Sequence, residues 1–152
     1  MNVLLACALA LLDRSATVPE VCQARPVPST IFQTIEAVRS ASSAFDIPAP
    51  IVVKVIYRES RFDIHARGAL GEIGLMQLKR KRGAVPPAFA KLPRTALEEP
   101  SLNVWIGVGY MAHVSMSCPN HYLSRYNGSG CVVTRYSKRV HSAGNTTRKG
   151  KS

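Results

Sequence analysis

One predicted helix carries an acidic residue on the face that should be buried. Prolines near its start favour a helix over Pro48–Ser60. Within it Val52, Ile56 and Glu59 are separated by four and three residues, which puts all three on one face. The valine and isoleucine predict that this face packs against a core, so Glu59 shares an apolar setting. Burying an unpaired carboxylate is costly, so this placement is unusual. A surface charge is the ordinary role of a lone glutamate near a helix end, and it is the alternative here.

The rest of the chain shows further helical periodicity and one long loop. Apolar residues at helical spacing predict helices over residues 29–45, 101–118, 121–126 and 132–140. Ser29 or Thr30 is the expected cap of the first, and Ser101 that of the second. Residues 60–78 lack such spacing and contain three glycines, which favours a loop. A chain of 152 residues favours one domain, so we expect a mainly α fold of five or six helices.

All of the net positive charge lies in the second half of the chain. Residues 1–78 contain seven basic and seven acidic residues, whereas residues 79–152 contain thirteen and two, which accounts for the net charge of +11. This asymmetry indicates a polyanionic partner: nucleic acid, an anionic membrane surface or an acidic cell-wall polymer. A purely solubilising role is the alternative. The densest cluster is Lys79–Arg82, and residues 142–152 form a basic tail that we expect to be disordered.

The N-terminus has the pattern of an export signal. Val3–Leu12 is a run of ten uncharged apolar residues, which suits the core of a signal peptide and is too short to span a membrane. We therefore predict a signal peptide over residues 1–22, a linker over residues 23–30 and a periplasmic or secreted protein. The alternative is a buried N-terminal helix.

The four cysteines are too few for a disulfide scaffold and include no C-x-x-C pair. Removal of the signal would take Cys7 away and leave three. Cys118 and Cys131 close the shortest loop, and a disulfide there would add about 3 kcal/mol of stability. Cys22 could compete for either partner. The histidines are scattered without metal-ligand spacing, so we expect neither a metal nor a cofactor.

Three motifs follow one another along the chain. Residues 59–78 read ESRFDIHARGALGEIGLMQL, with a Glu-Ser pair followed by Gly-Ala and Gly-Leu-Met-Gln. Asn103, Gly107 and Tyr110 have the spacing Asn-x3-Gly-x2-Tyr, and residues 126–128 read Tyr-Asn-Gly. Together these motifs resemble those of bacterial lytic transglycosylases with a lysozyme-like fold, whose third motif is Ala-Tyr-Asn. The resemblance covers residues 31–141 and implies a lysozyme-like domain there. It departs from the family at Gly68, where a sugar-holding serine is common.

The resemblance also implies roles for individual residues. Glu59 is the expected catalytic acid, and Tyr126 is expected to hydrogen-bond it. The expected substrate-binding residues are Ser60, Met76, Gln77, Tyr126 and Asn127, whereas Asn103 is expected to hold a loop. The implied reaction cleaves the β-1,4 bond between N-acetylmuramic acid and N-acetylglucosamine and leaves a 1,6-anhydro end.

The number of carboxylates bears on this reaction. A glycosidase that uses water ordinarily needs a second carboxylate, whereas the resembling family uses one glutamate and the sugar's own hydroxyl. The candidates for a second group are Asp63, Glu72, Glu98 and Glu99. A hydrolytic muramidase and a non-catalytic basic module that binds cell wall or nucleic acid are the alternatives. The expected partner is peptidoglycan, with a secretion or conjugation machine as a further one; we expect a monomer and no nucleic acid.

Overall fold

The computed structural model describes residues 2–15, 17, 19–23, 27–80 and 85–143, and most of these residues are helical. The helices are α1 (Val3–Leu12), α2 (Glu20–Gln23), α3 (Ser29–Phe45), α4 (Ala49–Ser60), α5 (Pro87–Ala90), α6 (Arg94–Leu97), α7 (Pro100–Ser117), α8 (Tyr122–Tyr126) and α9 (Arg135–Ser142). The predicted mainly α fold is confirmed. The helices in excess of the expected five or six are single turns: α2, α5 and α6 have four residues each.

Helices α3 and α7 form the centre of the core and have the most extensive contact in the fold. Each of the two helices has apolar residues at helical spacing, and these form the face that it turns towards the core. On α3 this face includes Ile35 and Val38, and on α7 it includes Val104, Val108 and Met111. All five side chains are almost completely buried. The core therefore holds α7 as a rigid support for the segments that pack across it.

Helix α4 packs against α1, α3 and α9 and buries Val52, Val53, Val55 and Ile56. It ends because Arg61 adopts a left-handed conformation, with φ of 54°. A left-handed residue directly after a helix stops its hydrogen-bond ladder and turns the chain away. This end of α4 carries Glu59.

Three helices begin differently from the prediction. The residue before α3 is Pro28, which makes no side-chain capping bond, so neither Ser29 nor Thr30 caps this helix. Helix α7 is capped by Glu99, whose carboxylate accepts the backbone N–H of Leu102 at 2.8 Å, and not by Ser101. The reason is Pro100, which suits the first helical position, so the cap lies two residues upstream of Ser101. Helix α9 is capped by Thr134, which shares a reciprocal capping box with Ser137.

Helix α1 lies against α3 and α4. Leu5 and Ala8 on it are buried, and the Arg39 side chain on α3 donates from Nε to the Leu12 carbonyl at 3.4 Å. This arrangement is that of a buried N-terminal helix, the alternative to a signal peptide. Whether residues 1–22 are removed stays a prediction.

A search of the described residues for a helix long and apolar enough to cross a membrane finds none.

The structure pairs all four cysteines. Cys118 is bonded to Cys131, and Cys7 is bonded to Cys22, with Cα atoms 5.4 and 5.6 Å apart. The first pair encloses α8. Both cysteines of the second pair lie within residues 1–22, so loss of that whole segment would remove Cys22 together with Cys7 and leave the two bonded cysteines, not the three expected.

The loop after α4 is fastened to α7 by one buried amide side chain. Asn103 Oδ1 accepts the backbone N–H of Met76 at 2.8 Å, and its Nδ2 donates to the carbonyls of Ile73 at 3.0 Å and Leu97 at 2.6 Å. Gly74 makes room for this amide, because a Cβ at position 74 would lie 2.5 Å from Asn103 Nδ2. Asn103 thus holds a loop, as expected.

We predict that Asn103→Ala destabilises the fold by about 3 kcal/mol, because it leaves buried backbone donors and acceptors unpaired. Urea unfolding followed by circular dichroism measures this. Asn120→Ala is the matched control, because Asn120 is exposed. Equal midpoints for both variants would contradict the anchoring role.

Candidate active site

Glu59 lies in a cleft of about 230 Å³ between the end of α4, the loop over residues 68–79, α7 and α8. Its side chain is partly buried. The other residues that line the cleft are Gly68, Ala69, Glu72, Gln77, Leu78, Lys79, Tyr110, Tyr126 and Asn127. The structure therefore brings Glu59 together with three of the five other predicted site residues, which are Gln77, Tyr126 and Asn127.

The pKa of Glu59 is raised above the ordinary value of a glutamic acid. The largest cause is burial, which disfavours the charged form, and the nearby Glu72 carboxylate adds to it. A hydrogen bond from Tyr136 and the positive charges of Arg58 and Lys79 act in the opposite direction but do not cancel it. Glu59 thus keeps its proton at a higher pH than an exposed glutamate, which is the property of a general acid.

Tyr136 orients the Glu59 carboxyl group. Its hydroxyl donates to Glu59 Oε1 at 2.5 Å. Tyr136 lies in the first turn of α9, which packs against α4 and α8. Burial and the Glu59 charge raise the pKa of this tyrosine far above its usual value, so it remains a hydrogen-bond donor. The sequence did not single out Tyr136, although it lies four residues before the buried Val140 and thus on the inner face of α9.

Tyr126 differs from its expected role. Its hydroxyl donates to the backbone carbonyl of Met76 at 2.7 Å, and the bond expected from Tyr126 to Glu59 is made by Tyr136 instead. The Tyr126 ring lies beside that of Tyr110, with centroids 5.7 Å apart. Burial raises the pKa of Tyr126 well above its usual value, so its hydroxyl stays neutral. Tyr126 therefore joins α8 to the loop that contains Met76.

Gln77 lines the cleft from a left-handed backbone conformation, with φ of 49°. Its amide Nε2 donates to the carbonyls of Gly74 at 3.0 Å and Ala66 at 3.2 Å. A non-glycine residue in this conformation is strained, and such residues cluster at functional sites.

Two predicted site residues do not line the cleft. The Ser60 hydroxyl donates to the Ile56 carbonyl at 3.1 Å, within its own helix. The Met76 side chain has no exposed surface and packs against Gly107, where a Cβ would lie 2.9 Å from Met76 Cβ. In this structure Met76 contributes to the cleft through its backbone, which binds Tyr126 and Asn103.

The four candidates for a second carboxylate lie in different settings. Glu72 lines the cleft and pairs with Lys79, with 3.4 Å between Oε1 and Nζ. Glu98 is buried and pairs with His65 and Arg67. Glu99 caps α7, and Asp63 accepts the backbone N–H of His65 in a turn at 2.9 Å. Of the four, Glu72 alone is among the residues that line the cleft with Glu59.

The basic cluster Lys79–Arg82 is only partly described. Lys79 is among the residues that line the cleft. The Arg80 guanidinium is engaged within the fold, since it donates to the carbonyl of Ala90 at 2.8 Å and to that of Leu92 at 2.5 Å. Residues 81–82 and 144–152 lie outside the described residues.

The Transglycosylase SLT domain family matches residues 36–147, which is most of the chain. The chain belongs to this family. A search of curated proteins and a search of solved structures each returned no match. Membership in the SLT family makes peptidoglycan the substrate class, assigns a lytic transglycosylase-like activity and implies an extracytoplasmic location. The suspected resemblance and the lysozyme-like helical fold are thereby confirmed.

For this SLT domain we predict that Tyr136→Phe moves the alkaline limb of the pH–rate profile to higher pH. The Tyr136 hydrogen bond favours ionised Glu59, so its loss raises the pKa of the acid further. Turnover at pH 6 should fall about tenfold, because the carboxyl loses its orienting partner. Turbidity loss of a peptidoglycan suspension at several pH values measures both effects.

Tyr126→Phe is the matched control, because its hydroxyl binds the Met76 carbonyl. It should leave the alkaline limb at its wild-type position. If Tyr126→Phe moves the alkaline limb and Tyr136→Phe does not, then Tyr126 and not Tyr136 is the hydrogen-bond partner of Glu59.

Proposed function

We propose that the chain is a lytic transglycosylase that cleaves the β-1,4 bond between N-acetylmuramic acid and N-acetylglucosamine and forms a 1,6-anhydro end. The observation that carries this proposal is the state of Glu59. Burial raises its pKa, and the hydroxyl group of Tyr136 donates a hydrogen bond to its carboxyl oxygen. A protonated and oriented carboxylic acid in a cleft is what cleavage of a glycosidic bond requires.

In the first step Glu59 donates its proton to the glycosidic oxygen. The bond between C1 of the muramic acid and that oxygen breaks, and the electron pair leaves with the oxygen, which becomes a hydroxyl group. Positive charge develops on C1 and the ring oxygen of the muramic acid. Glu59 is now a carboxylate, stabilised by the hydroxyl of Tyr136 and by the charges of Arg58 and Lys79.

In the second step the same Glu59 acts as a base. It takes the proton from the C6 hydroxyl of the muramic acid as that oxygen forms a bond to C1, and the acid form is regenerated. An intramolecular hydroxyl has a high effective concentration and competes well with water. One carboxyl group therefore serves both steps.

A hydrolytic muramidase is the second candidate, and one observation favours it. Glu72 places another carboxylate in the cleft of Glu59, and hydrolytic glycosidases ordinarily use such a pair. A non-catalytic module that binds cell wall or nucleic acid would have no use for a buried acid with an orienting tyrosine, so we do not propose it.

The mass of the products tests the proposed reaction. We expect purified peptidoglycan to yield fragments about 18 Da lighter than hydrolysed ones, because no water is added to C1. Glu59→Gln, which keeps the shape and removes the acid, should lower the rate by about 10³-fold. Fragments of hydrolysed mass would establish the muramidase, and wild-type rates for Glu59→Gln would overturn both enzymes.

We further propose that the protein is exported by residues 1–22 to the periplasm or the medium. There it opens the cell wall locally, for a secretion or conjugation machine or during phage lysis. The apolar run Val3–Leu12 supports export. We expect the exported chain to lack residues 1–22, which its intact mass measures. A full-length exported chain with Cys7 bonded to Cys22 would contradict cleavage.

A further inference from the structure

Glu72 occupies a space that the missing side chain of Gly68 leaves open. A Cβ at position 68 would lie 2.7 Å from Glu72 Cδ and 2.8 Å from Gln77 Oε1, closer than non-bonded atoms approach. The Glu72 carboxylate therefore reaches its place in the cleft wall only because residue 68 is a glycine. The φ of Gly68 is not in the left-handed region, so the backbone itself does not require glycine there.

Two groups hold this carboxylate in place. Glu72 Oε2 accepts the backbone N–H of Leu70 at 2.9 Å, and Oε1 pairs with the Lys79 ammonium at 3.4 Å. The Glu72 side chain is only 13% exposed, although it faces the cleft. Glu72 is thus a positioned group and not a mobile surface charge.

The two carboxyl groups of the cleft have opposite preferences for the proton. Burial raises the pKa of Glu72, but backbone hydrogen bonds and the Lys79 charge outweigh it and hold that pKa below the usual range. The pKa of Glu59 is raised. Among the described residues, the other charged or titratable groups that line the cleft or act on the Glu59 charge are Arg58, Lys79, Tyr110, Tyr126 and Tyr136. Many glycosidases have two carboxyl groups of different pKa in one cleft. The one with the higher pKa donates a proton, and the other stays ionised.

We infer that Glu72 is a second catalytic carboxylate of this cleft, one that stays ionised and stabilises the positive charge on the sugar ring while Glu59 protonates the leaving oxygen. The inference rests on the proposed glycosidic cleavage and holds for either product, anhydro or hydrolysed. The attraction arises only as the bond breaks, because the substrate sugar ring carries no such charge. It therefore acts on the transition state and should appear in kcat more than in KM.

The first test replaces Glu72 by Gln, which keeps its shape and removes its charge. We expect kcat to fall about 10²-fold with KM within about threefold of wild type, the scale seen when one preorganised electrostatic group is lost. Asp63→Asn is the matched control, since Asp63 is an exposed turn residue outside the cleft, and it should keep wild-type rates.

The pH profile supplies a second readout. Wild type should be active only between two limbs, because Glu72 must be ionised and Glu59 protonated. Glu72→Gln should lose the acid limb and move the alkaline limb to lower pH, because the Glu72 charge raises the pKa of Glu59. Lys79→Met should move both limbs to higher pH, since Lys79 lowers the pKa of both groups. A wild-type profile with only an alkaline limb would overturn the inference.

Gly68→Ala tests the same role without touching a charge. The methyl group displaces the end of a flexible side chain, so the fold should hold while the carboxylate moves. We expect a loss in kcat close to that of Glu72→Gln. In a Glu72→Ala background the same change should cost less than it does in wild type, because only its contact with Gln77 Oε1 remains. Full additivity, or wild-type kcat in folded Glu72→Gln, would overturn the inference.

The outcomes separate this inference from the proposed function. If Glu59→Gln is inactive and Glu72→Gln is as active as wild type, Glu72 has no catalytic role and the transglycosylase stands. If Glu59→Gln is active, both fail together.

Discussion

Both walls of the cleft depend on the side chain of Asn103. Its amide binds the backbone of the Met76 loop, and the carbonyl of Met76 in turn accepts the hydroxyl of Tyr126. One buried side chain on α7 thus positions the loop that carries Gln77 and, through one further hydrogen bond, helix α8. An amide suits this place because it donates and accepts without carrying a charge into a dry interior.

Glu59 and Glu72 have the same side chain, but their pKa values shift in opposite directions because their surroundings differ. Glu59 lies at the end of a helix whose neighbouring face is wholly apolar, so desolvation dominates its pKa. Glu72 lies on a loop beside backbone N–H groups and Lys79, so hydrogen bonds and a cation dominate there. The same side-chain chemistry is tuned in two directions by what surrounds it.

The predictable parts of this protein were the local ones. The place of Glu59 followed from the apolar Ile56 and Val52, three and seven positions before it, because helical periodicity is visible in the sequence. The hydroxyl that binds Glu59 comes from a residue 77 positions later, and local patterns say nothing about such a pairing. The placement of Met76 shows the limit of resemblance: the match identified its loop, but its side chain is buried beneath Gly107. Glu72 was one of four equivalent candidates until the loop geometry separated them.

The position of Tyr136 in the chain has a consequence for synthesis. Glu59 is synthesised before α7, α8 and α9. The hydroxyl group that orients it belongs to Tyr136 on α9, which follows the other helices in the chain. A growing or truncated chain without α9 can bury most of the core and still lacks the finished site. Closing a contact between residues 77 positions apart costs chain entropy. The hydrogen bond that orients Glu59 therefore forms only after the last helix of the described chain has joined the fold.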